Sequence, residues 1–107
     1  MSATSLHEPA DRLTSHTVDM HRAIRSLMEE LEAVDWYRQR ADATGDDGLK
    51  KVMLHNAREE IEHACMVLEW IRRSDGEFDS MMRTYLFREG DITATEEHTK
   101  LEPGKER

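Results

Sequence analysis

Apolar residues recur through the first part of the chain in alternating steps of four and three: Leu13, Thr17, Met20, Ile24, Leu27, Leu31 and Val34. This is a near-continuous heptad seam with Thr17 its one weak member, and it predicts a long helix over about 9–43. Pro9 suits the first turn, where its missing N–H costs nothing. Thr44-Gly45-Asp46-Asp47-Gly48 reads as a turn. Gly45 can take the left-handed conformation that closes a helix, and Asp46 or Asp47 can cap the next. A second helix is predicted over about 47–74, with Leu49, Val52, Met53, Ala64, Val67, Leu68, Trp70 and Ile71 as its apolar positions. Ser74-Asp75-Gly76 breaks it. A short third helix over about 77–88 carries Phe78, Met81, Met82, Tyr85 and Leu86 on its apolar side and is ended by Gly90.

The organisation expected is a flexible N-terminus over 1–8, a helical half-bundle over 9–90 and a disordered tail over 91–107. The short connection makes the two long helices an antiparallel hairpin. Two helices cannot enclose a core. Two hairpins together give four helices, the smallest arrangement that buries every apolar stripe. The fold class is therefore all-α: a two-helix hairpin plus a short C-terminal helix, completed by dimerisation into a four-helix bundle.

Composition supports this and narrows the function. The chain has 107 residues, 37% apolar and 36% charged, with five Gly and two Pro, which suits one small helical domain with a thin core. Its formal net charge of −8 argues against nucleic acid, which needs clustered Lys and Arg, and against anionic membrane surfaces. Cys65 is the single cysteine, so no disulfide framework or Cys-rich zinc site is possible within one chain and a reducing cytosol is expected. No run of about 18 apolar residues suggests a membrane span, and the polar start does not read as a secretory signal.

Two polar residues stand in the wrong place for a solvated helix. On a helical wheel Glu60 falls within roughly 20° of Leu49 and Val67, and His63 and Asn56 within about 40° on the other side. Lys51, Arg58, Glu62, Glu69 and Arg73 group on the opposite face. A buried, unpaired carboxylate costs several kcal/mol, so something must compensate Glu60. A cation does so directly, and a carboxylate with a neutral imidazole suits iron, zinc or manganese. Residues at i and i+3 share a face, so Glu60 and His63 can hold one metal. Glu30 lies at the edge of the first seam, between Leu27 and Val34, and supplies a further carboxylate. One chain then offers two carboxylates and one imidazole, and two chains around a dyad offer a set for two irons. The bland alternative is a buried Glu–Arg or Glu–His hydrogen bond that fixes helix register. Glu29, Glu32 and Trp36 share the side of the first helix away from the seam. They are a solvated face with a packing aromatic, an entry route to the metal, or a contact between dimers. The methionines and Cys65 read as core filler.

The runs Met28-Glu29-Glu30-Leu31-Glu32-Ala33-Val34-Asp35-Trp36-Tyr37, His55-Asn56, Glu59-Glu60 with Glu62-His63, Leu68-Glu69-Trp70-Ile71-Arg72-Arg73 and Met82-Arg83-Thr84-Tyr85-Leu86-Phe87 resemble the encapsulated ferritins over about residues 6–92. The resemblance implies a ferroxidase that oxidises Fe(II) to Fe(III) with O₂ at a di-iron centre shared between two subunits. Its ligands would be Glu30, Glu60 and His63 from each chain, with Ca, Mn or Zn able to substitute in a crystal. Glu29 and Glu32 would match an outer metal-uptake site, and Trp36 and Tyr37 would lie beside the centre. It further implies a homo-oligomer (a decameric ring built as a pentamer of dimers) and an encapsulin shell as partner. The location would be a bacterial or archaeal cytoplasm, inside an encapsulin nanocompartment where iron mineral accumulates. One departure bears on the shell: family members usually end in a short apolar docking peptide, whereas Leu101 is the one sizeable apolar residue from Thr95 to Arg107.

Two rival functions have other signatures. A four-helix nucleotide hydrolase would hold Mg²⁺ on oxygen ligands alone and would have no use for His63 in the stripe. A non-catalytic oligomerisation module would fold and assemble fully in a chelator and bind no metal, with Glu60 and His63 hydrogen-bonded.

Overall fold

The computed structural model describes residues 6–95. It is all-helical, and no strand occurs among the described residues. Its α-helices include α1 (Ser15–Ala43), α2 (Asp47–Ser74) and α3 (Gly76–Tyr85), preceded by a 3₁₀ turn over Ala10–Arg12. No helix among the described residues is long and apolar enough to cross a membrane.

The start of the first helix differs from the pattern-based expectation of residue 9. Pro9 opens the 3₁₀ turn instead, its carbonyl accepting from Arg12 N–H at 2.9 Å. Leu13 and Thr14 are extended. The Thr14 hydroxyl accepts from Thr17 N–H and donates to Thr17 Oγ1, both at 3.1 Å, so the α-helix begins at Ser15. This also accounts for the weak seam member. Thr17 is the residue whose backbone N–H is satisfied by the N-cap, and its hydroxyl strengthens that cap.

The hairpin turn is shorter than the motif suggested. Thr44 leaves α1 in an extended conformation at φ −77°, ψ 141°. Gly45 does not take the left-handed conformation open to it; among the described residues only Gly90 and Phe87 have positive φ. Asp46 supplies the cap, its Oδ1 accepting from Leu49 N–H at 2.8 Å. Gly48 leaves room for that carboxylate, since a Cβ there would stand 3.2 Å from Asp46 Oδ1.

The chain divides into two compact units at Trp70/Ile71. In the first, α1 runs antiparallel to α2. Residues level with each other lie at equal distances in sequence from Gly45: Glu30 interacts electrostatically with Glu60, and Ala23 and Val67 line one open groove. Within this unit only Ala41, Ala57 and Ala64 are buried among the described residues, none more than 3% exposed. Alanine lets two helix backbones approach closely, and nothing larger is enclosed. Ile24, Met28, Leu31, Leu49, Val52 and Met66 all remain exposed, Leu31 at 53%. The stripe predicted from the heptad seam is thus only partly covered in the single chain: Leu13, Met20, Leu27 and Val34 are half-buried, whereas Thr17, Ile24 and Leu31 are exposed.

In the second unit, Asp75 caps α3, its Oδ1 accepting from the backbone N–H groups of Glu77 and Phe78 at 2.9 and 3.0 Å. Asp79 accepts from both Arg72 and Arg83, and these two hydrogen-bonded cations hold its carboxyl below the usual carboxylate range. α3 ends at Tyr85, earlier than the residue 88 expected, because Leu86 is extended and Phe87 turns to φ 59°. Gly90, at φ 90°, serves the next turn and not the helix end. Beyond it, Asp91 accepts from Thr93 N–H at 2.9 Å and residues 92–95 are helical, within a segment expected to be disordered. The remainder of that expected tail, 96–107, and residues 1–5 of the expected flexible N-terminus lie outside the described residues.

Candidate metal centre

The hairpin register brings Glu30, from the middle of α1, towards Glu60 and His63, from the middle of α2. Glu60 Oε2 lies 3.7 Å from His63 Nδ1, one turn along the same helix. The Glu60 side chain is 27% exposed, whereas Glu62 is open to solvent, as the wheel predicts. His63 remains about half exposed in the single chain.

Glu30 is the most perturbed member. Its Oε2 is buried and has no hydrogen-bond partner. Burial raises the Glu30 carboxyl above the ordinary glutamate range; the Glu60 and Glu29 carboxylates push in the same direction, and a cationic His63 opposes them. A desolvated carboxylate beside another, with an oxygen left unsatisfied, carries an uncompensated electrostatic cost. Among the described residues, no three His, Cys, Asp or Glu side chains of one chain cluster closely enough to hold a metal ion. One chain therefore presents Glu60 and His63 as a pair and Glu30 as an electrostatic neighbour.

The outer residues take up the positions the wheel gives them. Glu29 and Glu32 are exposed on α1, Trp36 is 48% exposed and Tyr37 is half-buried. Arg40, which sequence reasoning passed over, lies over both rings, 5.9 Å from the Trp36 centroid and 5.6 Å from that of Tyr37. Its spacing of four and three residues from the aromatics is the signal that would have found it. Arg25 was also missed. Its Nη1 contacts Met28 Sδ at 3.8 Å, and its buried Nε has no partner; no spacing rule points to it. His55, which showed no pattern, pairs with Glu59 at 3.5 Å on an exposed stretch of α2.

A profile of the EncFtn-like family matches residues 5–89. An encapsulated ferritin-like protein of Rhodospirillum rubrum is 57% identical over 95 residues, covering 89% of this chain and 68% of the relative. A ferritin-like protein of Thermotoga maritima is 48% identical, covering 91% of this chain and 85% of the relative. The encapsulin nanocompartment cargo protein EncC of Myxococcus xanthus is 33% identical, covering 82% and 69%. Among solved structures, protein ne0167 from Nitrosomonas europaea superposes with a TM-score of 0.78 at 54% identity, covering 81% of this chain and 96% of that one.

Proposed function

The chain belongs to the EncFtn-like family, and on that footing we propose that it is a ferroxidase, oxidising Fe(II) to Fe(III) with O₂ at a di-iron centre that two copies build together. The observation that carries this reading is the buried, partnerless Oε2 of Glu30 on the helix facing Glu60 and His63. A carboxylate placed so is stabilised by a proton or by a bound cation. Two carboxylates and an imidazole form the mixed oxygen–nitrogen donor set that suits iron.

Each residue has a task set by its position. Glu30 and Glu60 hold Fe(II), and the desolvation cost that Glu30 carries alone is offset when a cation binds. His63, neutral when it ligates, adds a nitrogen donor without adding charge. Carboxylate oxygens favour Fe(III) over Fe(II), which drives the oxidation forward. Two Fe(II) ions held together would give up one electron each, so O₂ would take two electrons and two protons and leave as hydrogen peroxide instead of superoxide. Glu29 and Glu32, exposed and acidic, draw Fe(II) towards the centre past Trp36 and Tyr37.

Dimerisation follows from what the single chain leaves undone. Its hairpin encloses only alanines, and Ile24, Met28 and Leu31 stay exposed beside the candidate ligands. A second hairpin covers them and doubles the ligand set. The relatives named as encapsulated and as encapsulin cargo support a working location inside an encapsulin shell in a bacterial or archaeal cytoplasm; the assembly of dimers into a decameric ring is what the family resemblance implies.

Stopped-flow near-ultraviolet absorbance, with Fe(II) added aerobically to wild-type and Glu60→Ala protein, tests the reading. Rapid Fe(III) absorbance in the wild type and a near-buffer rate in the variant are expected. Oxidation no faster than buffer by assembled wild-type protein would end the enzyme assignment.

A further inference from the structure

Met28 stands at the border between two surfaces of α1. On the helical wheel it lies about 60° from Leu31, on the seam that a second hairpin covers, and about 40° from Glu32, on the acidic face by which Fe(II) arrives. It is 50% exposed. Its sulfur is already engaged: Arg25, one turn earlier on the same face, donates from Nη1 to Met28 Sδ at 3.8 Å. A thioether is a weak acceptor. The same guanidinium has its Nε buried with no partner. A cation thus lies against the sulfur with hydrogen-bonding capacity left over.

The proposed reaction delivers a reagent for this sulfur. Hydrogen peroxide released at Glu30, two residues after Met28, passes the thioether if it leaves by the face that carries Glu29 and Glu32. Peroxide converts a methionine thioether to the sulfoxide. A sulfur lone pair attacks one peroxide oxygen, and the S–O bond forms as the O–O bond breaks. The sulfur gives up two electrons. The departing hydroxide takes the proton of the transferred oxygen and leaves as water. A guanidinium N–H stabilises negative charge on the departing oxygen, and Arg25 Nη1 is the donor set against this sulfur. The product also suits the site, because a sulfoxide oxygen is a far better acceptor for Arg25 than the thioether it replaces.

We propose that Met28 is a peroxide-reactive modification site, converted to methionine sulfoxide with Arg25 as the donor that speeds the step and then holds the product. It rests on the ferroxidase reading only for the source of the peroxide. Exposure alone does not select Met28. Met66 is more exposed, at 57%, but among the described residues no hydrogen bond is made to its sulfur. Sulfoxide is returned to thioether by methionine sulfoxide reductases, so Met28 acts as a renewable sink beside the place where peroxide forms.

Peptide mass spectrometry of the full chain tests this in two arms. In the first, dilute hydrogen peroxide is added to metal-free protein in chelator. Met28 should gain an oxygen before Met66 does. Arg25→Gln should slow Met28 oxidation about 10-fold, and Arg25→Lys should recover part of the rate. Met66 should oxidise equally in all three proteins, which a general loosening of the fold would not allow. In the second arm, Fe(II) is added aerobically. Met28 sulfoxide should build up as iron is oxidised, and Met28→Leu should release more peroxide per iron at an unchanged rate of iron oxidation. Met66 oxidised as fast as Met28 by added peroxide, or Met28 oxidised equally fast in Arg25→Gln, would overturn the proposal whatever the iron result. Rapid Fe(III) formation that leaves Met28 unoxidised would overturn it too. Selective, Arg25-dependent oxidation of Met28 by added peroxide, with no iron oxidised in the second arm, would uphold the site and sink only the ferroxidase reading.

Discussion

Glu60 raises the proton affinity of Glu30 across the hairpin, adding to the larger effect of Glu30's own burial. The sign fixes a pH dependence. A folded-state carboxyl raised above its ordinary value near 4.5 binds its proton more tightly in the folded chain than in the unfolded one. Its contribution to metal-free stability therefore falls as pH rises from the unfolded value through the folded one, and stays unfavourable above it. Glu30→Gln removes this penalty. In chelator, the variant should melt above the wild type at pH 7, and the gap should narrow towards pH 4. A gap that does not change with pH would contradict the assignment.

The two histidine–glutamate pairs of α2 should behave differently. His63 pairs with Glu60 beside Glu30, whereas His55 pairs with Glu59 on an exposed stretch. His63→Ala should lower the initial rate of iron oxidation by about 100-fold, the upper end of what even an outer-shell partner of a metal site costs. His55→Ala should stay close to wild type. Equal losses in the two variants, measured by stopped flow, would detach the reaction from this site.

Asp75 satisfies two backbone donors at the start of α3. Asp75→Ala should cost about 1 kcal/mol and speed amide exchange at Glu77 and Phe78. The iron oxidation rate per assembled chain should not change. Unaltered exchange at both amides would show that the cap contributes nothing.

Ala57 is buried in the hairpin, whereas Ala43, at the end of α1, is exposed. Ala57→Leu should destabilise by about 1–3 kcal/mol, because the added carbons force the helices apart. Ala43→Leu should stay within about 0.5 kcal/mol of wild type. Urea midpoints measure both, and similar shifts would mean that helix approach at Ala57 is not limiting.

Much of this was legible in the residues because the helices are long and strongly periodic. The bounds of α2 coincide with those its pattern predicts, and Glu60 is more buried than Glu62 for the reason the wheel gives. What escaped was governed by local hydrogen bonding. Periodicity carried α1 back to Pro9, but the Thr14 hydroxyl captures the Thr17 N–H and starts the helix at Ser15. Apolar side chains carried α3 past Tyr85, but spacing cannot foresee that Phe87 adopts positive φ. The approach of Glu30 to Glu60 was legible in outline only, since the seam gives a face and the turn gives the register. The partnerless Arg25 Nε depends on how neighbouring side chains crowd it, and no one-dimensional pattern records that.

The three residues between α1 and α2 have a consequence for how this protein can vary. Glu30 and Glu60 meet because they stand equally far from Gly45, so their alignment is a property of chain length as much as of side-chain type. Removing a single residue between Glu30 and the turn would rotate Glu30 by about 100° and draw it about 1.5 Å along the axis. Every candidate ligand would still be present, in the same order, on intact helices. Substitution scanning cannot detect that constraint. A series of one-residue deletions and insertions along both arms would map it, with tolerance expected only where the count on the two sides of the turn is restored.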